Sequence, residues 1–278
     1  VTFIPNGPNP VYLTVVGILG LMIGSFVNVI VYRVPAGLSI VSPPSACPRC
    51  GAGISPRDNV PVLSWLVLRG KCRSCKTAIS TRYPLVELGT GIAFAAVSAW
   101  LLATAADDGM LAGSLTLVAF LYLATVSIAL ALIDIDVHRL PNSIVLPAYV
   151  VGAVLLGGAG LASGDLGSLV RAGIGLAVLW VAYLGMALAY PGGMGFGDVK
   201  LAGVLGLFLG YLGWGEFAVG AFAAFLLGGL FGLALLVTRR ANRKSGIPFG
   251  PWMLAGAWVG IFLGAPLWNG YLSLLGVV

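Results

Sequence analysis

Long apolar runs alternate with short polar breaks along the whole chain. Eight runs can be drawn: Val11–Tyr32, Tyr83–Ala105, Leu111–Ile133, Ser143–Leu161, Leu169–Tyr190, Val199–Leu212, Phe217–Thr238 and Pro248–Leu275. Several reach roughly 20 residues, the length at which an α-helix crosses a bilayer. The pattern predicts an all-α polytopic membrane protein with about eight transmembrane helices. The sixth run is short for a full span, which predicts a tilted helix or one that starts below the surface. The eighth carries Pro251 and Pro266, which predicts a kink or a break. One polar, proline-rich segment interrupts the series. The chain therefore divides into a first transmembrane helix at 11–33, a small polar domain at 34–82 and a larger membrane domain at 83–278.

Composition agrees with this division. The 278 residues are 59% hydrophobic and 9% charged, whereas about a quarter of residues are charged in soluble domains. Most of the 41 glycines lie within apolar runs, where small residues let helix backbones approach closely. Gly203/Gly206, Gly206/Gly210 and Gly228/Gly232 suit that role. The segment Val1–Pro10 has no basic region, so no cleavable signal peptide is expected. The absence of an initiator Met suggests trimming.

The formal net charge is +6, and its placement argues against nucleic acid as a partner. Arg33, Arg49, Arg57, Arg69, Lys71, Arg73, Lys76 and Arg82 fall between runs one and two. Arg139 follows run three, Lys200 follows run five, and Arg239, Arg240, Arg243 and Lys244 follow run seven. Only Arg171 lies on the other face, with Asp107, Asp108, Asp165 and Glu216. Basic loops stay cytoplasmic, so segment 34–82 is expected in the cytoplasm and both termini outside.

Segment 34–82 holds all four cysteines, as Cys47-Pro48-Arg49-Cys50 and Cys72-Arg73-Ser74-Cys75, with 21 residues between the pairs. That spacing lies just beyond the usual range for paired zinc knuckles. Four thiolates suit a structural Zn²⁺, and a segment this short needs folding energy from outside its own core. Two disulfides or four free thiols are the alternatives. A reducing cytoplasm disfavours disulfides. With four protein ligands the metal has no open position for substrate.

Two acids stand where an apolar chain tolerates little charge. Asp134 closes the third run and Asp198 opens the sixth; both fall near the cytoplasmic boundary, and intramembrane acids are usually functional. Each has a structural alternative: a helix end meeting a polar turn for Asp134, a helix N-terminus favoured by the dipole for Asp198. Asp136 suits the first of these roles. Together the two acids suggest a carboxylate pair acting on water. Glu87, near the start of run two, is a partial exception to their isolation. Lys200 either holds nearby negative charge or snorkels to the interface. His138 is the sole histidine, so no histidine-rich metal site exists.

These motifs resemble the prepilin leader peptidases of the GxGD membrane aspartyl protease group, over nearly the whole chain. Gly24-Ser25-Phe26-Val27-Asn28-Val29 with Arg33-Val34-Pro35 is similar to the family's first motif. The cysteine pairs flank Asp58-Asn59-Val60-Pro61-Val62-Leu63-Ser64-Trp65 and Leu68-Arg69-Gly70-Lys71. Ile79-Ser80 and Arg82-Tyr83-Pro84-Leu85-Val86-Glu87 continue the pattern. Asp134 matches the first catalytic aspartate, and Gly195-Phe196-Gly197-Asp198 is the G-x-G-D motif. Asn142 departs from it, because many relatives carry Asp there.

The resemblance implies a membrane aspartyl endopeptidase of the bacterial inner membrane. It implies cleavage of leaders from type IV prepilins or pseudopilins at the cytoplasmic face, after a Gly, by Asp134 and Asp198 within the 83–278 domain. It also implies N-methylation of the new terminus from S-adenosylmethionine. Gly70, Lys71, Asn59, Trp65 and Asn28 are candidates for substrate or methyl-donor contacts. Taken singly they read as a turn, a solvated charge, a turn, an interfacial anchor and a helix polar contact. Two rival readings are a proton-coupled transporter using the acids and a scaffold whose zinc loop binds partners. A transporter should show an internal repeat with paired broken helices, and only one glycine-rich interruption is present.

Overall fold

A computed structural model describes residues 9–104, 109–190, 193–238 and 248–277. Arg239, Arg240, Arg243, Lys244, Asp107 and Asp108, which entered the charge argument, lie outside the described residues, as do residues 1–8 of the segment read for a leader.

The first compact unit comprises Val1–Asp107 with Phe120–Ala129. Its helices are α1 (Pro10–Arg33), the short α2 (Leu63–Val67) and α3 (Arg82–Thr104). Asn9 starts α1 by accepting the Val11 N–H at 2.9 Å, and Pro10 stands in the first turn, where its missing N–H costs nothing. Helices α1 and α3 pack closely through glycine. A methyl group on Gly20 would lie 2.8 Å from the Gly91 Cα, and one on Gly24 would lie 2.7 Å from the Glu87 Cα. Such approach supplies the dispersion that holds helices together where lipid removes the hydrophobic driving force.

The second unit comprises Asp108–Ala119 and Leu130–Val278. Helix α4 (Met110–Val137) contributes both its ends to this unit and its middle to the first. Then follow α5 (Asn142–Ser163), α6 (Leu166–Ala189), α7 (Phe196–Leu212), α8 (Trp214–Val237) and α9 (Gly250–Leu274). Asp165 caps α6 by accepting the Ser168 N–H at 3.0 Å. Helix α7 packs against α5, α6, α8 and α9, and every residue from Leu201 to Gly210 is buried. A helix surrounded in this way can be apolar all round.

Among the described residues, seven helices are long and apolar enough to cross a membrane: α1, α3, α4, α5, α6, α8 and α9. The eighth is α7, short as its sequence predicts. Its 17 residues extend about 26 Å at 1.5 Å each, less than a bilayer's hydrocarbon core of about 30 Å. Of the kink or break expected in the last run, the break is absent. Helix α9 runs unbroken, with Pro251 in its first turn and Pro266 inside it. First-turn Pro loses no helical bond, and packing of Gly256 and Gly260 against α8 backbone holds the rest.

The proposed glycine contacts divide by partner. Gly206 and Gly210 meet the backbone of α6 at Gly175 and Arg171, Gly203 meets the Tyr149 hydroxyl, and Gly228 meets the Phe249 ring.

Candidate active site and cysteine cluster

Asp134 sits in the last turn of α4. His138 ends that helix in a left-handed conformation, φ 52°, donating its N–H to the Asp134 carbonyl at 2.9 Å. Asp134 is only 5% exposed, although Ile135, Asp136 and Val137 beyond it are exposed. Its Oδ2 accepts the N–H of Gly250 at 3.1 Å. Gly250 opens α9, and first-turn amides have no partner within their own helix. Their positive end favours an anion. A methyl group at Gly250 would lie 2.7 Å from Asp134 Oδ2, so the approach needs glycine.

Asp198 is the third residue of α7, and its Oδ2 accepts the Gly195 N–H at 3.1 Å. This is the return half of a capping box; Gly195 has no side chain to supply the other half. Among the described residues, each aspartate uses one carboxylate oxygen in a hydrogen bond, and the second faces no protein donor.

Leu140 connects the two acids. A methyl group at Gly197, next to Asp198, would lie 3.0 Å from Leu140 Cβ, and one at Gly250 would lie 3.3 Å from Leu140 Cδ2. The Leu140 side chain thus fits between two glycines, one adjoining each carboxylate. The ends of α4 and α7 are therefore brought to one place. Lys200 lies beside Asn142 and Phe196. Its Nζ donates to Asn142 Oδ1 at 2.9 Å and stands 5.4 Å from the Phe196 ring centroid.

The cysteines also converge. Their four sulfurs lie within 4.8 Å of one another, and Cys47 Sγ stands 3.7 Å from Cys75 Sγ. A disulfide would need about 2.05 Å, and all four cysteines are free. Zn–S bonds of about 2.3 Å in a tetrahedron place sulfurs about 3.8 Å apart, so the cluster fits Zn²⁺. The knuckles share one backbone turn. Cys47 N–H donates to Ala52 O and Gly51 N–H to Cys47 O, while Cys72 N–H donates to Thr77 O and Lys76 N–H to Cys72 O. Lys76, φ 59°, takes the left-handed place that Gly51 fills in the first knuckle. Arg49 donates to Thr77 Oγ1 at 3.0 Å, and Arg73 grips Asp58 through both carboxylate oxygens.

Electrostatics set the sulfurs apart. The Thr77 hydroxyl holds the Cys75 thiol down, to about 6. Backbone N–H groups of Cys50 and Arg49 lower that of Cys47. The Ala52 backbone favours the Cys50 thiolate, but the sulfurs of Cys75 and Cys47 outweigh it and push Cys50 up to about 11. A central divalent cation is the group that lets all four ionise together.

Two regions of the chain match family models: residues 18–101 match the bacterial Peptidase A24 N-terminal domain, and residues 121–233 match the type IV leader peptidase family. The chain is 35% identical over 290 residues to a prepilin leader peptidase/N-methyltransferase of Aeromonas salmonicida, covering 94% of each chain. The chain belongs to the type IV leader peptidase family. Relatives of the same name from Pseudomonas aeruginosa and Burkholderia pseudomallei are 35% and 33% identical, covering 93% and 94% of this chain and 93% and 88% of their own. No solved structure matches it significantly.

Within this leader-peptidase chain, the sequence candidates for cofactor contact meet different fates. Asn28 donates to the Tyr83 carbonyl at 3.1 Å, tying α1 to the start of α3. Trp65 donates its indole N–H to the Ile79 carbonyl at 3.1 Å. Gly70, φ 65°, lies against the Trp65 ring, where a methyl group would come within 2.8 Å. Lys71 and Asn59 are exposed, and no side-chain bond holds them among the described residues.

Three residues of this family member escaped sequence reasoning. Gly250 supplies the Asp134 hydrogen bond, and the Gly250-Pro251 pair at a helix start was its only signal. Tyr183, 3% exposed, joins Phe225 and Phe249 in a cluster with ring centroids 5.5–6.3 Å apart. No local pattern marks it. Glu87, first read only as a stray acid, is 9% exposed and accepts the Val62 N–H at 2.7 Å.

Proposed function

We propose that Asp134 and Asp198 are the catalytic pair of a membrane aspartyl endopeptidase that removes leaders from type IV prepilins or pseudopilins. The observation that carries this reading is the convergence on Leu140. One acid is buried at the end of α4 and the other stands in the first turn of α7, each with one carboxylate oxygen free of protein donors. Both lie within the segment that matches the type IV leader peptidase family.

Two carboxylates that share one water hold one proton between them and titrate as a unit. The ionised one takes a proton from water as the water oxygen adds to the scissile carbonyl carbon. The protonated one gives its proton to the carbonyl oxygen. Collapse of the tetrahedral adduct breaks the C–N bond, and the amine leaves with a proton returned by the pair. The exposed turn at Gly193-Met194-Gly195 gives backbone room for an extended substrate segment.

The curated relatives are named as N-methyltransferases as well, and this chain is read as bifunctional, methylating the new amino terminus. S-Adenosylmethionine supplies the methyl group. Lys71 and Asn59, exposed beside the metal knuckles, are the contacts assigned to it. Zn²⁺ on Cys47, Cys50, Cys72 and Cys75 holds 34–82 together as a domain, with 11–33 and 83–278 in the membrane. The excess of basic residues on one face supports a cytoplasmic position for the metal domain and active site. Among the described residues the last helix is unbroken, and with relatives named as leader peptidases the transporter reading has no support.

Incubation with a prepilin and S-adenosylmethionine, followed by mass spectrometry of the mature terminus, reads both activities at once. Asp134→Asn or Asp198→Asn should reduce cleavage by at least about 10²–10⁴-fold, the usual weight of general acid–base catalysis, with methylation of pre-cleaved substrate intact. Wild-type cleavage by the correctly folded Asp198→Asn protein ends the aspartyl reading.

A further inference from the structure

Helix α2 turns an apolar ridge outward. Leu63, Leu66 and Val67 are 60%, 57% and 78% exposed, in a polar segment that would gain by hiding them. The depth of this ridge is fixed by bonds to a membrane helix. Val62, immediately before α2, gives its N–H to Glu87 Oε2. Glu87 is the sixth residue of α3, so the bond lies about 7.5 Å along that helix from Arg82 at 1.5 Å per residue. The far end of the segment is held there too, because Trp65 bonds to Ile79, just before α3 begins. Helix α3 is itself one of the candidate membrane spans. Its Leu85, Leu88 and Ile92, at the same level and beyond, are exposed in the same way, as lipid-facing residues are. The ridge of α2 therefore stands at the level where α3 enters the bilayer.

The charges around the ridge have one sign. Arg57 and Arg69 are exposed to either side of α2, and Lys71 follows. The acids of the region are already engaged, Asp58 by Arg73 and Glu87 by the Val62 N–H. An apolar ridge flanked by basic side chains is the composition of an element lying in the interface, with its apolar side at the acyl boundary and its cations among anionic head groups.

We propose that α2 is an interfacial wedge. Leu63, Leu66 and Val67 insert into the boundary of an anionic phospholipid leaflet, and Arg57 and Arg69 bind its head groups. The wedge holds the metal domain against the membrane surface by a contact separate from the α1 and α3 spans. It does not depend on the aspartate chemistry.

The test uses the full-length protein in phosphatidylcholine vesicles with and without phosphatidylglycerol. A benzophenone-bearing residue replaces Val67, and in a second protein Ser74, exposed in the second knuckle. Equal metal content in the two shows that both metal domains are folded. Phospholipid adducts at position 67 should exceed those at 74 several-fold and increase with phosphatidylglycerol. Arg69→Asn, which suits the left-handed backbone there, should weaken that increase. Equal adduct yields at 67 and 74, or crosslinking at 67 chiefly to a second copy of this chain, would overturn the wedge. Yields independent of phosphatidylglycerol would overturn its head-group half.

Discussion

Substituting alanine for Gly250 places a methyl carbon 2.7 Å from Asp134 Oδ2 and 3.3 Å from its Cγ. Ordinary contact begins near 3.4 Å, so the carboxylate must retreat by about 0.7 Å, the difference between those two distances. Retreat along that line carries the 3.1 Å bond from the Gly250 N–H past hydrogen-bonding range. A hydrogen bond to a charged group contributes about 1.5–3 kcal/mol. At about 1.4 kcal/mol per decade of rate, its loss in the transition state lowers kcat/KM for prepilin cleavage by roughly 10- to 100-fold. The assay is the initial rate of leader removal by the purified full chain, with methylation of a pre-cleaved substrate measured in the same preparation. Methylation should be unchanged, because Gly250 belongs to the second unit and the cysteine cluster to the first. Full cleavage by a folded Gly250→Ala protein would refute the idea that this amide holds Asp134 in its working position.

Other expectations follow from the packing and the metal site. Chelation removes the metal and Cys50→Ser one of its four ligands, and structural zinc sites contribute on the order of 10 kcal/mol of folding energy. The 34–82 segment should then become protease-sensitive while the membrane helices stay protected. Gly206→Val drives a branched side chain into the Gly175 backbone. Overpacking costs about 1–3 kcal/mol, so the detergent-solubilised variant should unfold at lower temperature; an unchanged Tm would deny the close α6–α7 contact. Glu87→Ala leaves the Val62 N–H without its acceptor, a loss of about 1.5–3 kcal/mol. Hydrogen exchange should rise locally across Val62–Val67, and an unaltered exchange pattern would show that α2 is held by other contacts.

Periodicity made the membrane helices legible because length and apolarity alone decide a span. Helix α4 still runs four residues beyond its drawn end, to Val137, because Asp134 and Asp136 continue the helix where hydropathy stops. The cysteine cluster was legible from spacing, since two short knuckles dictate their own turns. The aspartates stood out as charges in an apolar chain. What escaped was contact made by backbone. Nothing in the residue type of Gly250 says that its N–H meets an acid 116 positions earlier, and nothing local marks Tyr183 as a member of a ring cluster with Phe225 and Phe249. Asn28 and Trp65 drew attention as polar or aromatic residues in motifs, yet their donors serve carbonyls of the fold. A motif records that a residue is needed without saying whether ligand or scaffold needs it.

The enclosure of α7 bears on how such an enzyme is made. A short helix with no lipid-facing side gains little from entering the bilayer alone, so its insertion waits on α6 and the Gly175–Gly206 crossing. Asp198 rides in on that helix. With Asp134 and Asp198 as the proposed pair, the acid reaches its partner only after the surrounding bundle closes, so a chain truncated before α7 is expected to show no cleavage.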